Sequence, residues 1–167
     1  YNVIFAWEEL RELARTGIDA ARGRLMDILC NYQGFRRCSL ILVFDAYRVE
    51  GHAEEVVKYR NIHVVYTKEA ETADQYIERT VHEMGRKYQV TVATSDGLEQ
   101  VIIRGQGCTM MSARELREDV DRINQEIRRE YVERFPESRN YLFDYLPEEL
   151  AGLMKEVRLG QKSMEKG

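Results

Sequence analysis

The sequence contains little proline, little cysteine and no long apolar run. Only two of its 167 residues are proline and eleven are glycine, which argues against a sandwich of many short strands joined by turns. No apolar stretch approaches the roughly 18 residues that a membrane-spanning helix requires, and no basic-then-apolar leader opens the chain. We therefore expect a soluble protein that has no membrane partner.

Cysteine and basic charge are also scarce. The three cysteines, Cys30, Cys38 and Cys108, are isolated and odd in number, which excludes a disulfide framework or a zinc ribbon and favours the cytoplasm. Lysine and arginine number 25 against 29 acidic residues, giving a net charge of −4. The chain therefore does not coat nucleic acid by bulk charge, and a polyanion would need a local basic patch.

Apolar strand-like runs alternate with helical patterns along the chain. Strands are predicted at residues 39–44, 61–66 and 89–94, with a weaker one at 107–111, and helices at 19–32, 71–88 and 98–104. This alternation predicts the α/β class, with a mainly parallel sheet covered by helices. Capping boxes at Thr72 with Gln75 and at Ser112 with Glu115 mark two helix starts.

The last third of the chain is predicted to be helical. Residues 112–134 form a charged helix whose narrow apolar stripe is Leu116, Val120, Ile123 and Ile127. An apolar segment at 141–146 and a final helix at about 148–159 supply apolar surface to cover that stripe. We therefore expect one domain over 1–134 and a helical extension over 135–167 that packs on it.

Three aspartates fall where an α/β sheet binds ligands. Asp45 directly follows one predicted strand, Asp96 follows another with Ser95 between, and Asp74 lies in the first turn of the helix after a third. Each residue alone is a common turn or helix-start residue, but together they meet at the carboxyl edge of one sheet. Asp74 lies three and seven residues before Ile77 and Val81, so we expect it to face the sheet.

Carboxylates gathered at one edge repel one another unless a cation joins them. Oxygen ligands favour Mg²⁺ or Mn²⁺, so the sequence predicts a metal site at Asp45, Asp74 and Asp96. Ser95 lacks a G-x-S-x-G elbow and is expected to orient water or a phosphate oxygen rather than to act as a nucleophile. Neither a P-loop nor metal-binding histidine spacing occurs.

Four motifs occur in a set order at these strand ends and helix starts. They are Tyr1-Asn2-Val3-Ile4, Val43-Phe44-Asp45-Ala46, Glu71-Thr72-Ala73-Asp74 and Ala93-Thr94-Ser95-Asp96. Together with residues 105–107 and 112–116, this set resembles the NYN domains of the YacP type, a branch of the PIN-like ribonucleases, over about residues 1–120. The resemblance implies a PIN-like three-layer α/β/α fold and a metal-dependent RNA endonuclease. It also implies a role in bacterial mRNA decay, including on translating ribosomes.

The resemblance also assigns roles to residues of the site. Such domains open on D-G-Y-N, whose asparagine corresponds to Asn2, so we expect a first strand and its aspartate upstream of Tyr1, with Val3 and Ile4 finishing that strand. Glu71 carries over as an additional acid that supports the metal site. Thr94 and Ser95 carry over as polar neighbours of the site.

Phosphodiester hydrolysis explains why such a site needs these groups. It requires an activated water, neutralised phosphate charge and a stabilised leaving oxygen, all of which Mg²⁺ supplies. Asp74 and Asp96 would hold the ion, Asp45 would bind it directly or through water, and Asn2 would orient the phosphate or the attacking water. Basic and aromatic residues expected near the same edge would follow the RNA backbone and stack on unpaired bases: Arg48, Lys58, Arg60, Lys68, Tyr47 and Tyr66.

Two other functions remain open at this stage. The same fold, with an incomplete set of acids, would serve as a non-catalytic module that binds RNA or a protein. A magnesium-dependent phosphatase is less well supported, because Asp45-Ala46-Tyr47 lacks the second acid of a D-x-D pair. The sequence pattern carries no indication of the oligomeric state.

Overall fold

The computed structural model of the chain describes residues 1–45, 54–85, 87–97 and 107–134, with side chains as far as residue 131. Five helices lie in these ranges: α1 Asn2–Ala6, α2 Glu8–Thr16, α3 Ile18–Arg36, α4 Ala73–Met84 and α5 Ala113–Arg134. The strands are β1 Ile41–Phe44, β2 Glu55–Tyr59, β3 Ile62–Tyr66, β4 Thr91–Ala93 and β5 Thr109–Met111. No helix in the described ranges is both long and apolar enough to span a bilayer.

The strands form one mixed sheet and one parallel pair. In the first sheet, of order β1-β3-β2, β3 runs parallel to β1 and antiparallel to β2. In the second sheet, β4 and β5 are parallel. The predicted α/β class is confirmed, and each predicted strand is present in a shorter form. Since β1 and β3 are parallel, Asp45 and Thr67 follow them at the same edge of the sheet.

Strand β2 was absent from the prediction, for a physical reason. It joins β3 through a tight turn at Arg60, where φ is +51°, and no glycine marks this left-handed position as a hairpin normally would. Val56 and Val57 are neighbours in the strand and both are exposed. The strand therefore lacks the alternation of apolar and polar residues that identifies a half-buried strand.

The first residues of the chain are helical, so the expectation that Val3 and Ile4 finish a strand is wrong. Both lie in α1, where Ile4 is fully buried. Trp7 follows α1 and is buried as well, and its indole N–H donates to the carbonyl oxygen of Ala113 at 2.7 Å. The spacing of Val3, Ile4 and Trp7 places one face of this short helix on the core.

The buried side chains form two clusters. The larger cluster joins α1, α2 and α3 to β1 and β3 and includes Leu116 and Val120 of α5. The smaller one packs Val81 of α4 against Val92 of β4. Helices α3 and α5 thus serve the larger core, and α4 contacts the second sheet.

Both predicted capping boxes are confirmed. Thr72 Oγ1 accepts from the Gln75 N–H while the Gln75 side chain accepts from the Thr72 N–H, and α4 begins at the next residue. Ser112 and Glu115 make the same reciprocal bonds at the start of α5. The helix predicted at 98–104 lies outside the described residues.

Helix α5 belongs to the core more fully than its narrow stripe predicts. Leu116, Val120 and Ile123 are buried, whereas Ile127 is 40% exposed. The stripe was expected to need a cover from the C-terminal segment, but Leu116 and Val120 already pack in the larger cluster. The chain forms two compact units, Tyr1–Gln125 and Glu126–Gly167. Residues 135–167 lie outside the described residues, so their packing on the domain stays a prediction.

A buried carboxylate ties α3 to α5. Asp119 is 7% exposed and accepts hydrogen bonds from Tyr32 at 2.8 Å, from Arg36 at 2.5 Å and from Arg122. The bond from Arg36, aided by those from Tyr32 and Arg122, outweighs the effect of burial and lowers the pKa of Asp119 from 3.8 to about 2. The Asp119 carboxylate therefore remains ionised over the whole neutral range.

Candidate active site

An acid at the carboxyl end of β1 accepts a hydrogen bond from the start of a helix. Asp45 directly follows β1, and its Oδ1 accepts from the backbone N–H of Ala73 at 2.7 Å. Ala73 is the first residue of α4, so this carboxylate occupies the positive end of a helix, where its charge is favoured. The contact fixes Asp45 beside the residue that precedes Asp74.

The pKa of Asp74 is affected by two other acids. Burial, followed by the negative charges of Asp96 and Asp45, raises the pKa of the Asp74 carboxyl above its ordinary 3.8. Asp74 therefore lies close enough to Asp96 and to Asp45, which come from two other segments, for their charges to act on it. Asp74 as a whole is an exposed residue, whereas Val81 of the same stripe is buried, so only the inner part of this stripe belongs to the core.

Asn2 is bonded to the end of β4. Its side-chain amide donates to Thr94 Oγ1 at 3.3 Å, and its backbone carbonyl accepts from Ser95 Oγ at 3.4 Å. Thr94 is buried, and its Oγ1 also accepts from the Asp96 N–H at 3.1 Å. The Thr94 hydroxyl thus holds the start of α1 and the backbone of Asp96 in a single arrangement.

The donor chemistry of this edge fits a divalent cation held by few protein ligands. All the acids offer carboxylate oxygens as ligands, and such an ion would neutralise their negative charge. No three Asp, Glu, His or Cys side chains in the described ranges form a group that would hold a metal ion. Mg²⁺ commonly binds through one or two carboxylates together with water and substrate phosphate, and a pair such as Asp74 and Asp96 suits that mode.

The Glu71 carboxylate forms ion pairs with neighbouring basic side chains. Its side chain is 10% exposed, and its carboxylate accepts from the Arg79 guanidinium at 3.1 and 3.3 Å, while Lys68 lies 4.0 Å away. Arg79 also bonds Glu54 at 3.0 Å. These ion pairs join the segment before α4 to Arg79 of that helix. The sequence pattern did not indicate this position for Arg79.

The expected basic patch is divided by the β2–β3 hairpin. Lys68 follows β3 and so lies at the carboxyl edge, but Lys58 pairs with His63 near the opposite end of β3. Arg60 lies in the hairpin turn itself and bonds Asp27 at 3.0 Å. Because a five-residue strand is about 15 Å long, the placement of Lys58 and Arg60 near the acidic edge is wrong.

Three further residues were expected to bind RNA, and one of them lies in the described part of the chain. Tyr47 and Arg48 lie outside the described residues. Tyr66 packs on Phe44 with 5.8 Å between the ring centres. Arg22 of α3 was not predicted here, and its guanidinium lies 5.1 Å from the centre of the Tyr1 ring and 5.6 Å from that of Phe44.

A shallow depression of about 320 Å³ runs along α4 and is lined by Gln75, Glu78, Arg79, His82 and Glu83. None of the three aspartates lines it. Because repulsion and hydrogen bonding concentrate at the strand ends, we take that edge as the functional site and not the depression.

Comparison with known proteins agrees with this reading. The family model of the YacP-like NYN domain matches residues 1–159. The chain is 39% identical over 130 residues to the uncharacterized protein YacP of Bacillus subtilis (strain 168), in a match that spans 77% of this chain and 76% of that protein.

Two solved structures share the fold. The crystal structure of a point mutant of Rae1 (YacP) from Bacillus subtilis matches with a TM-score of 0.70 and 31% identity, over 94% of this chain and 95% of that one. A second crystal structure of Rae1 (YacP) matches with a TM-score of 0.67 and 34% identity, over 96% and 91%. The PIN-like fold is thereby confirmed, and the chain belongs to the YacP-like NYN domain family.

Proposed function

We propose that the protein is a metal-dependent endoribonuclease that hydrolyses phosphodiester bonds in single-stranded RNA. The observation that carries the proposal is the arrangement of three aspartates in a chain of the YacP-like NYN family: Asp45 is bonded to the start of α4 beside Asp74, and Thr94 holds the backbone of Asp96. Burial, followed by the charges of Asp96 and Asp45, raises the pKa of Asp74. Negative charge gathered in this way suits binding of a cation.

We assign a task to each residue of the site. Asp74 and Asp96 would hold Mg²⁺ or Mn²⁺, and Asp45, whose Oδ1 is bonded to Ala73, would act on the ion through water. The bound cation would supply an activated water and neutralise charge on the phosphate. Asn2, fixed by Thr94, would orient the phosphate beside them. Ser95 would contribute a polar group at the exposed rim.

Cleavage of a labelled RNA tests this proposal. The full-length protein is incubated with an end-labelled single-stranded RNA and Mg²⁺, alongside Asp74→Asn and Asp96→Asn. Each substitution removes charge at nearly constant shape, so we expect folded proteins whose cleavage rate is lower by about 100-fold or more. Asp121→Asn, which changes an acid paired with Arg117 on α5, is the matched control and should cleave normally. Wild-type rates in both site variants would overturn the proposal.

A second candidate is a module that binds RNA or a protein without cutting. It is favoured by the lack of a three-residue metal-binding group in the ranges that the structure describes. In the same assay, such a module would retain RNA in a gel-shift measurement but would leave it intact at every Mg²⁺ concentration. Cleavage that requires Asp96 excludes it.

The cellular substrate that we propose is messenger RNA in the bacterial cytoplasm, cut on translating ribosomes. This part rests on membership of the family and on the small net charge of −4. A protein with no basic excess binds free RNA weakly, and a ribosome would position the message for it. Cleavage of a translated message that stops when translation is blocked is the expected result. Equal cleavage of the message with and without ribosomes would contradict it.

A further inference from the structure

One aromatic side chain of α1 is exposed and lies outside the hydrophobic core. Phe5 of α1 is 53% exposed, although its neighbours Ile4 and Trp7 are buried. It belongs to neither buried cluster of the described residues. A single exposed apolar residue is ordinary, so its significance depends on where it lies.

Phe5 lies one helical turn from the functional edge. It is three residues after Asn2 in α1, and residues at that spacing are neighbours on a helix surface, with about 5–6 Å between their Cβ atoms. Asn2 in turn contacts Thr94 and Ser95, directly before Asp96. The exposed ring therefore lies one helical turn from Asn2, whose side chain and carbonyl contact the two residues directly before Asp96.

We propose that the Phe5 ring is a stacking platform for one unpaired base of the RNA, next to the phosphate that is cut. This inference rests on the proposed function. An exposed aromatic face binds any nucleobase by stacking, and a paired base does not offer its face. The site would therefore prefer single-stranded RNA without reading its sequence.

A protein partner would need a different surface. Docking of another protein requires a contiguous apolar patch, whereas the exposed neighbours of Phe5 on α1 are the polar Asn2 and the small Ala6. The exposed part of α1 therefore offers one aromatic ring, which suits stacking with a single base, and no contiguous apolar patch for a helix or a strand of another protein.

Binding of RNA by variants at this position provides the first test. Affinities for a single-stranded oligonucleotide and for its duplex are measured in an Asp96→Asn background, so that the RNA stays intact. Phe5→Ala should weaken single-strand binding by about fivefold or more, within the range measured for base–aromatic stacking, and Phe5→Trp should preserve it. Duplex binding should not change. The matched control is Tyr88→Ala, which removes a ring that is 66% exposed at the amino end of β4.

Abasic substitutions locate the base that is stacked. Each base of the oligonucleotide is removed in turn and tested with both proteins. One position should weaken binding to the protein with Phe5 and have no effect with Phe5→Ala, because the same contact is already lost. If Phe5→Ala binds within twofold of the parent, or if no abasic position shows this coupling, the stacking proposal is overturned. The proposed function survives that result as long as Asp96 remains necessary for cleavage.

Discussion

Replacing Asp119 by asparagine should remove the strongest electrostatic link between α3 and α5. The carboxylate is buried and accepts from Tyr32, Arg36 and Arg122. Asparagine keeps the volume and one acceptor oxygen but loses the charge. Both arginines would then face a neutral group, and the remaining bonds would be weaker than charge-assisted ones.

The pKa of Asp119 sets the magnitude of this effect. It lies at about 2 instead of 3.8, and one pKa unit corresponds to about 1.4 kcal/mol, which gives about 2.4 kcal/mol as an upper value. The side chains of Arg36 and Arg122 are substantially exposed, and solvent screens their charges. We therefore expect Asp119→Asn to lower the free energy of unfolding by about 1–2 kcal/mol at pH 7.

The pH dependence follows from the direction of the shift. A carboxyl whose pKa is lower in the folded state stabilises the protein above its unfolded pKa, and that contribution is lost as the pH falls through about 4 towards 2. Urea unfolding of both proteins at pH 7, 5 and 3 measures the difference. It should be equal at pH 7 and 5 and fall by about half at pH 3. A difference below about 0.3 kcal/mol at pH 7, or one independent of pH, would refute this reasoning.

Three other substitutions test the fold and the site. Trp7→Phe should lower the free energy of unfolding by about 2–3 kcal/mol in urea, because it leaves the Ala113 carbonyl without its buried donor and creates a void; a loss below about 0.5 kcal/mol would contradict this. Asp74→Asn should raise stability by a few tenths of a kcal/mol at pH 7 in metal-free buffer, since its raised pKa means that ionisation opposes folding, and the gain should vanish below about pH 4. A gain that persists at pH 3 would count against the repulsion. Arg79→Gln should lower the thermal midpoint, because Glu71 and Glu54 lose their cation, and Glu71→Gln in the same protein should restore part of it; an unchanged midpoint would show that these pairs are dispensable.

Much of the fold could be predicted because its signals are local. The strands β1, β3 and β4 coincide with short apolar runs, and capping boxes at Thr72 and Ser112 mark two helix starts. Strand β2 could not be found, because both of its central valines are exposed and its turn uses Arg60 in place of glycine. Helix α1 was obscured by β-branched residues, whose preference for strands is overridden by packing of Ile4 in the core.

The site was predictable where it depends on strand ends and not where it depends on pairing. Asp45 and Asp96 come after the carboxyl ends of β1 and β4, as predicted. Within the described residues β1 and β4 belong to two separate sheets, so the expectation that the edge of a single sheet brings these acids together is wrong. The placement of Lys58 and Arg60 failed because it required knowing the direction of the missed hairpin. The pairing of Glu71 with Arg79 depends on side-chain reach across a helix start, which residue spacing does not determine.

The dependence of RNA cleavage on Mg²⁺ tests the central claim most directly. The full-length protein is stripped with EDTA, and the single-turnover cleavage rate of a single-stranded RNA is measured as Mg²⁺ is returned. We predict no cleavage without metal, a rate that rises to saturation with Mg²⁺, and a rate near zero at every concentration for Asp96→Asn. Cleavage that persists in EDTA, or an Mg²⁺ response that Asp96→Asn leaves unchanged, would contradict the account.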